Sequence, residues 1–198
     1  MDAVTQAWPD GLLLEAAREG ERVDDARLLI PAIQRDGSLF PIGKMAAHQS
    51  GQLHLAVSVF VFDEAGALLI QQRALGKYHC AGLWANTCCS HPHWGEPVAQ
   101  AARRRLYEEL GLRVALTPAG VLDYRAEVTN GLVEHERVHV FAGQVRRAEA
   151  ALRLDPAEVS GVRWRKPEAL MIEARARPDD FAPWFKIYLS RWNELGLS

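Results

Sequence analysis

One well-bounded helix set among strand-like runs constrains the fold most. Over residues 97–110, Ala99, Ala102, Leu106 and Leu110 recur at helical spacing and Gly111 supplies the stop. Strand-like runs lie on both sides of it. Residues 28–33 and 39–42 flank an Asp36-Gly37 turn, and 53–62 is rich in Val and Phe. The turn-prone 63–66 leads into a run at 67–72, while 133–142 alternates and 158–164 reads as a further strand. A second amphipathic helix is expected over 183–195, from Trp184, Ile187, Tyr188, Leu189 and Trp192. Interleaved strands and helices predict an α/β fold, a mixed β-sheet sandwiched between helices.

A chain of 198 residues suits one such domain. Residues 28–198 are expected to form it, with 1–27 as an N-terminal extension holding a short helix around Leu12-Leu13-Leu14. The net charge of −2 gives no global reason to expect nucleic acid or an anionic membrane as partner. No apolar run approaches the roughly 20 residues that span a bilayer, so a cytoplasmic protein is expected. The three cysteines, Cys80, Cys88 and Cys89, make a poor disulfide framework and contain no CxxC pair.

Two constellations carry chemistry. The first runs Trp84-Ala85-Asn86-Thr87-Cys88-Cys89-Ser90-His91-Pro92 and continues into the helix ending Tyr107-Glu108-Glu109-Leu110-Gly111. Two adjacent carboxylates at a helix C-terminus oppose its dipole, a cost that a divalent cation relieves. The second is His48, His54, His91, Glu134 and Glu136, donors that suit zinc, manganese or iron. Glu134 and Glu136 are two apart on an expected strand and share a face, whereas His135 points the other way.

Ser90, Glu96, Arg104, Glu108, Glu109, Gly111 and Leu112 reproduce the spacing of the Nudix box, a loop–helix–loop that positions metal-bound diphosphates. Two positions depart from it: Ser90 replaces the leading Gly, and Arg105 replaces a metal-gathering Glu. With Lys44-Met45-Ala46-Ala47-His48, the Cys89-Ser90-His91-Pro92 element, Val133-Glu134-His135-Glu136 and Pro183-Trp184 in order, the chain resembles the type I isopentenyl diphosphate isomerases, which have a Nudix-like fold. The resemblance spans about residues 28 to 195.

It implies that the chain isomerises isopentenyl diphosphate to dimethylallyl diphosphate, with Cys89 and Glu136 as the proton-transfer pair and Tyr124 hydrogen-bonded to the carboxylate. His48, His54, His91, Glu134 and Glu136 would hold one divalent metal, Mn2+ or Zn2+. Glu109 and the Cys89 carbonyl would hold a Mg2+ that arrives with the diphosphate. Lys44, Arg73, Lys77 and Arg105 would contact the phosphates, and Trp184 the carbon skeleton. The chemistry is coherent: two proton-transfer groups on opposite sides suit an allylic shift, and an indole face suits a tertiary cation.

Cys88 is expected to be a buried thiol, Trp84 and Trp164 core, and Arg104 a partner for a box carboxylate. His79, His93 and His139 are set aside as surface or structural. The rivals are a Nudix hydrolase of nucleoside or other diphosphates and a prenyl-diphosphate-binding protein without catalysis.

Overall fold

The structure, a computed structural model, describes residues 28–197. The short helix expected near Leu12 lies outside them. Nine strands join in one mixed sheet, arranged around β3 (His54–Phe62). β1 (Leu29–Ile33) and β2 (Leu39–Gly43) form the expected hairpin, which pairs with the start of β3. β4 (Leu68–Arg73), β5 (Trp84–Ala85) and β6 (Cys88–Ser90) follow in sequence. β7 (Leu116–Glu127) lies antiparallel to β8 (Val133–Gln144), and β8 runs parallel to β3 along its whole length. β9 (Val159–Arg165) pairs with β4.

β3 is buried on both faces, which is why its sequence is almost continuously apolar. Val57, Val59 and Val61 face one core with Leu106 and Leu110 of α2 (Val98–Leu110). Ala56 and Phe60 face the other, with Leu170 of α3 (Pro167–Ala176) and Phe185 and Tyr188 of α4 (Pro183–Ser190). Each fully buried large side chain contributes about 1.5–3 kcal/mol through removal of apolar surface from water. Gly111 ends α2 with φ 67°, and its N–H bonds the Tyr107 carbonyl. A Cβ there would lie 2.8 Å from that of Arg153, so both conformation and space demand glycine.

The sequence expectations for strands 1–4, 8 and 9 and for α2 agree with the structure to within two residues. Five elements go beyond them, the two short strands β5 and β6 among them. α1 (Lys44–Ser50), β7 and α3 have no strong period in sequence, because β7 is largely exposed and the two helices bury only a few positions each. The last helix is shorter than expected: α4 stops at Ser190, and one 3-10 turn, Trp192–Glu194, follows.

Candidate active site

Sheet register builds the site. Glu136 on β8 stands opposite His54 on β3 and opposite Tyr124 on β7, while Cys89 on β6 stands opposite Ser58 on β3. His54 and Ser58 are four apart on one strand and therefore share a face. Three strands thus present Tyr124, Glu136 and His54 in a row, with Cys89 farther along the same surface. Tyr124, Glu136 and Cys89 line a cleft of about 510 Å3, its open mouth included, and His54 lies buried behind it.

The loop into β6 is locked by its own polar side chains. Thr87 donates to the Leu69 carbonyl at 2.6 Å and accepts from the Val61 N–H at 2.9 Å. Asn86 donates to the Val59 and Cys88 carbonyls, both at 3.1 Å, leaving its Oδ1 to accept the Cys89 thiol at 2.8 Å. Burial pushes the Cys89 thiol up to about 12, and Ser58 and Asn86 only partly counter that. Cys88 is fully buried, as its reading as a small hydrophobe requires.

His48, His54, His91 and Glu134 each offer a ligand atom, all within 4.8 Å of one another. Two ligands on opposite sides of an ion at about 2.1 Å would be about 4.2 Å apart, so this set closes on one ion with little adjustment. A carbonyl can only accept, so His48 donates Nδ1–H to the Val133 carbonyl and His54 donates Nδ1–H to the Gln52 carbonyl. Each neutral ring then presents an Nε2 lone pair to the cluster. His48 Nε2 has no hydrogen-bond partner although it is buried. The His54 and His91 Nε2 atoms lie 3.2 Å apart. Two imidazole nitrogens held this close, beside a buried nitrogen that has no hydrogen-bond partner, are what a divalent cation would satisfy.

Burial lowers the pKa of His48 to about 4 and that of His91 well below its ordinary value. Burial acts the same way on His54, but the Glu136 carboxylate beside it prevails and holds it above the ordinary value. Glu136 mirrors this: burial would raise it, and His54 with its other hydrogen-bonding neighbours holds it below. Its Oε1 lies 2.9 Å from His91 Nε2 and 3.6 Å from His54 Nε2. Its Oε2 accepts the Tyr124 hydroxyl at 2.7 Å. Burial drives the Tyr124 phenol well above its ordinary pKa, so it remains a donor.

Lys44, Arg73, Lys77 and Arg105 all line the cleft, as does Trp184. The Arg73 guanidinium carbon lies 5.1 Å from the Trp184 ring centroid, so the indole face already serves a cation. Arg105 bonds Glu108 and Glu109, both at 2.8 Å, and Glu158 at 3.1 Å; Lys77 bonds Glu158 at 2.6 Å. Glu109 is buried and also accepts from Gln71 at 2.9 Å. Glu108 turns outward and is more exposed. Arg104 grips both oxygens of Glu96 at 2.7 Å, the box carboxylate partner expected of it.

Two residues of the site carry no sequence signal. His79 is buried, with Nε2 3.0 Å from Glu134 and its ring edge-on to Trp184. It is a structural histidine of the cleft wall, and no spacing rule connects it to a strand 55 residues later. Glu158 reads as an ordinary strand start, yet it joins two of the cleft cations. His135 behaves as its face requires, bonding the Gly51 carbonyl away from the cluster.

Residues 52–185 match the NUDIX domain family. Among solved structures, DR0079 from Deinococcus radiodurans superposes with a TM-score of 0.67 at 17% identity, covering 82% of this chain and 98% of that one. The MutT protein from Methanosarcina mazei Go1 gives 0.55 at 16% identity, covering 71% and 93%. At such identities the likeness shows the shared fold. Sequence relatives are much nearer. The isopentenyl-diphosphate Delta-isomerase of Rhodobacter capsulatus is 46% identical over 171 residues, 86% of this chain and 96% of the relative. Those of Cereibacter sphaeroides KD131 and Pectobacterium atrosepticum are 48% and 45% identical, covering 80% and 75% of this chain and 89% and 81% of theirs. A Nudix sheet carrying this cysteine, carboxylate and histidine arrangement, with relatives of this closeness, belongs to the isopentenyl-diphosphate Delta-isomerase family.

Proposed function

We propose that the chain isomerises isopentenyl diphosphate to dimethylallyl diphosphate by adding a proton at the terminal CH2 and removing one from C2. The carrying observation is that the Cys89 thiol and the Glu136 carboxylate open into one cleft that also gathers four basic side chains. One of the pair gives a proton and the other takes one, through a cation at C3. Tyr124 donates to Glu136 Oε2 while Oε1 faces the histidines, so the mobile proton of Glu136 belongs on Oε2. Trp184 offers its indole to the C3 cation, an interaction worth about 2 kcal/mol when water is excluded. Exclusion also keeps water from capturing that cation as an alcohol.

His48, His54, His91, Glu134 and Glu136 are the residues to hold a divalent metal, Mn2+ or Zn2+ by their donor chemistry, and its charge would orient the Glu136 carboxylate. Glu109 and the Cys89 carbonyl are assigned to a Mg2+ that would offset diphosphate charge. Lys44, Arg73, Lys77 and Arg105 bind the phosphates, Arg105 and Lys77 by releasing Glu158.

A pyrophosphohydrolase reading is disfavoured at Arg105, a cation bonded to Glu109 where metal-gathering acid would be needed. Proton NMR of isopentenyl diphosphate with the protein and divalent metal in D2O tests the assignment. Deuterated dimethylallyl diphosphate should appear without inorganic phosphate. Unchanged substrate with the metal sites filled would refute it.

A further inference from the structure

Three consecutive residues, Lys77, Tyr78 and His79, line the cleft. Side chains from elsewhere hold the backbone of their loop, one residue after another. Asn130 donates Nδ2–H to the Tyr78 carbonyl at 2.7 Å, and Arg73 donates Nη2–H to the His79 carbonyl at 3.0 Å. Thr129 Oγ1 accepts the Cys80 N–H at 3.0 Å. Cys80 and Asn130 both adopt positive φ, 50° and 65°, which residues with a side chain disfavour. Such conformations persist only where the surroundings over-determine them, and they collect at ligand clamps.

What this loop presents is the half-buried Tyr78 ring. Lys44 opens α1 and Lys77 follows β4, yet both reach that one ring. Lys44 Nζ lies 5.2 Å from its centroid and Lys77 Nζ 5.8 Å, inside the roughly 6 Å over which an aromatic face attracts a cation. Neighbours fix the plane of the ring. It meets His79 edge-on, centroids 4.4 Å apart, and leans against His48 at 6.2 Å. Two ammoniums gathered in one place repel each other, and the ring attracts both. A carboxylate would attract them too, but it would repel an incoming phosphate, as Glu158 beside Lys77 does.

We propose that Tyr78 is a positioning residue for the diphosphate: its ring holds the Lys44 and Lys77 ammoniums in the cleft before substrate arrives. The inference rests on the isomerase reading above, which assigns both lysines to the phosphates. A lysine side chain has large rotamer freedom, and ordering it in advance removes that loss from the binding step. The role belongs to the ring face and not to the hydroxyl. It concerns affinity for the diphosphate and leaves the proton transfers to Cys89 and Glu136.

Two readouts test this: binding of inorganic pyrophosphate with Mg2+ present, by calorimetry, and KM against kcat for isopentenyl diphosphate. Tyr78→Leu should weaken pyrophosphate binding and raise KM by about tenfold each, with kcat within about threefold of the parent. Tyr78→Phe keeps the ring and should recover most of that loss. Its mono-, di- and trifluorinated analogues at position 78 keep the shape while draining electrons from the ring face. Pyrophosphate affinity should fall stepwise with each added fluorine, a trend that a packing role does not produce. Equal affinity across the fluorinated series would overturn the inference. So would Tyr78→Phe matching Tyr78→Leu, which would move the role to the hydroxyl. An unaltered chain that takes up no pyrophosphate would also overturn it, since there would be no phosphate site to position. An unaltered chain that binds pyrophosphate yet leaves isopentenyl diphosphate unchanged would refute the isomerase reading instead, and the fluorine trend would still decide the role of Tyr78.

Discussion

Two charged clusters share the cleft and satisfy their buried polarity in opposite ways. On the β3–β8 surface, imidazole nitrogens face one another and His48 Nε2 has no partner. On the α2 side, two cleft cations are already matched: Arg105 by Glu109 and Glu158, Lys77 by Glu158. A ligand at the first cluster adds a bond to the His48 Nε2 lone pair, which lacks one. At the second, an anionic ligand would have to displace a carboxylate. The first cluster therefore depends on its ligand, whereas the second keeps its shape without one.

Glu136 puts the greatest strain on this contrast, since it stands in the first cluster and is also the carboxylate proposed to transfer a proton. Glu136→Gln preserves shape and removes the charge. Turnover should fall by roughly 10⁴-fold, the upper end for a direct proton-transfer group. Bound Mn2+ or Zn2+ affinity should fall by at least about tenfold. NMR turnover and metal per chain after dialysis measure the two effects separately. Turnover within tenfold of the parent would remove Glu136 from the chemistry.

Arg105 sharpens the other half. Arg105→Ala should raise KM by about ten- to a hundredfold with a smaller effect on kcat, as charge-assisted hydrogen bonds contribute about 1.5–3 kcal/mol each. It also leaves buried Glu109 with Gln71 alone and should lower the melting temperature. A KM equal to the parent's would confine Arg105 to ion pairing within the protein.

The sequence exposes the first cluster better than the second, for physical reasons. Glu134 and Glu136 share a face through the two-residue strand period, and the same rule turns His135 away. Cys89, on β6, and His91, just after it, are near neighbours in sequence. The resemblance to a known family then joins segments that no period connects. Glu158, by contrast, meets Lys77 across 81 residues and shares Arg105 from another element. Such contacts follow from β9 pairing beside β4, a property of sheet order that local pattern does not encode. His79 carries no sequence signal for the same reason: its partner Glu134 is reached only when the chain folds. β7, an edge strand with few buried positions, lacks the apolar signal that β3 shows in sequence.

Glu158 supplies the smallest effect and the cleanest one for the saturated cluster. Burial alone would raise its pKa; Arg105 and Lys77 overcome that and bring it from 4.5 to about 2. A carboxylate depressed in the folded state stabilises the fold fully above its ordinary value and loses that contribution as pH falls through the folded value. The window therefore runs from about pH 4.5 down to about pH 2. The side chain is 22% exposed and Arg105 also holds Glu108 and Glu109, so about 1–3 kcal/mol is the expected scale. Glu158→Gln should remove this part of the acid sensitivity. Urea midpoints measured from about pH 6 to about pH 3 should fall less steeply in the variant than in the parent. Parallel curves would mean that Glu158 is no better stabilised in the folded chain than in the unfolded one, and that the α2 cluster is looser than its ion pairs suggest.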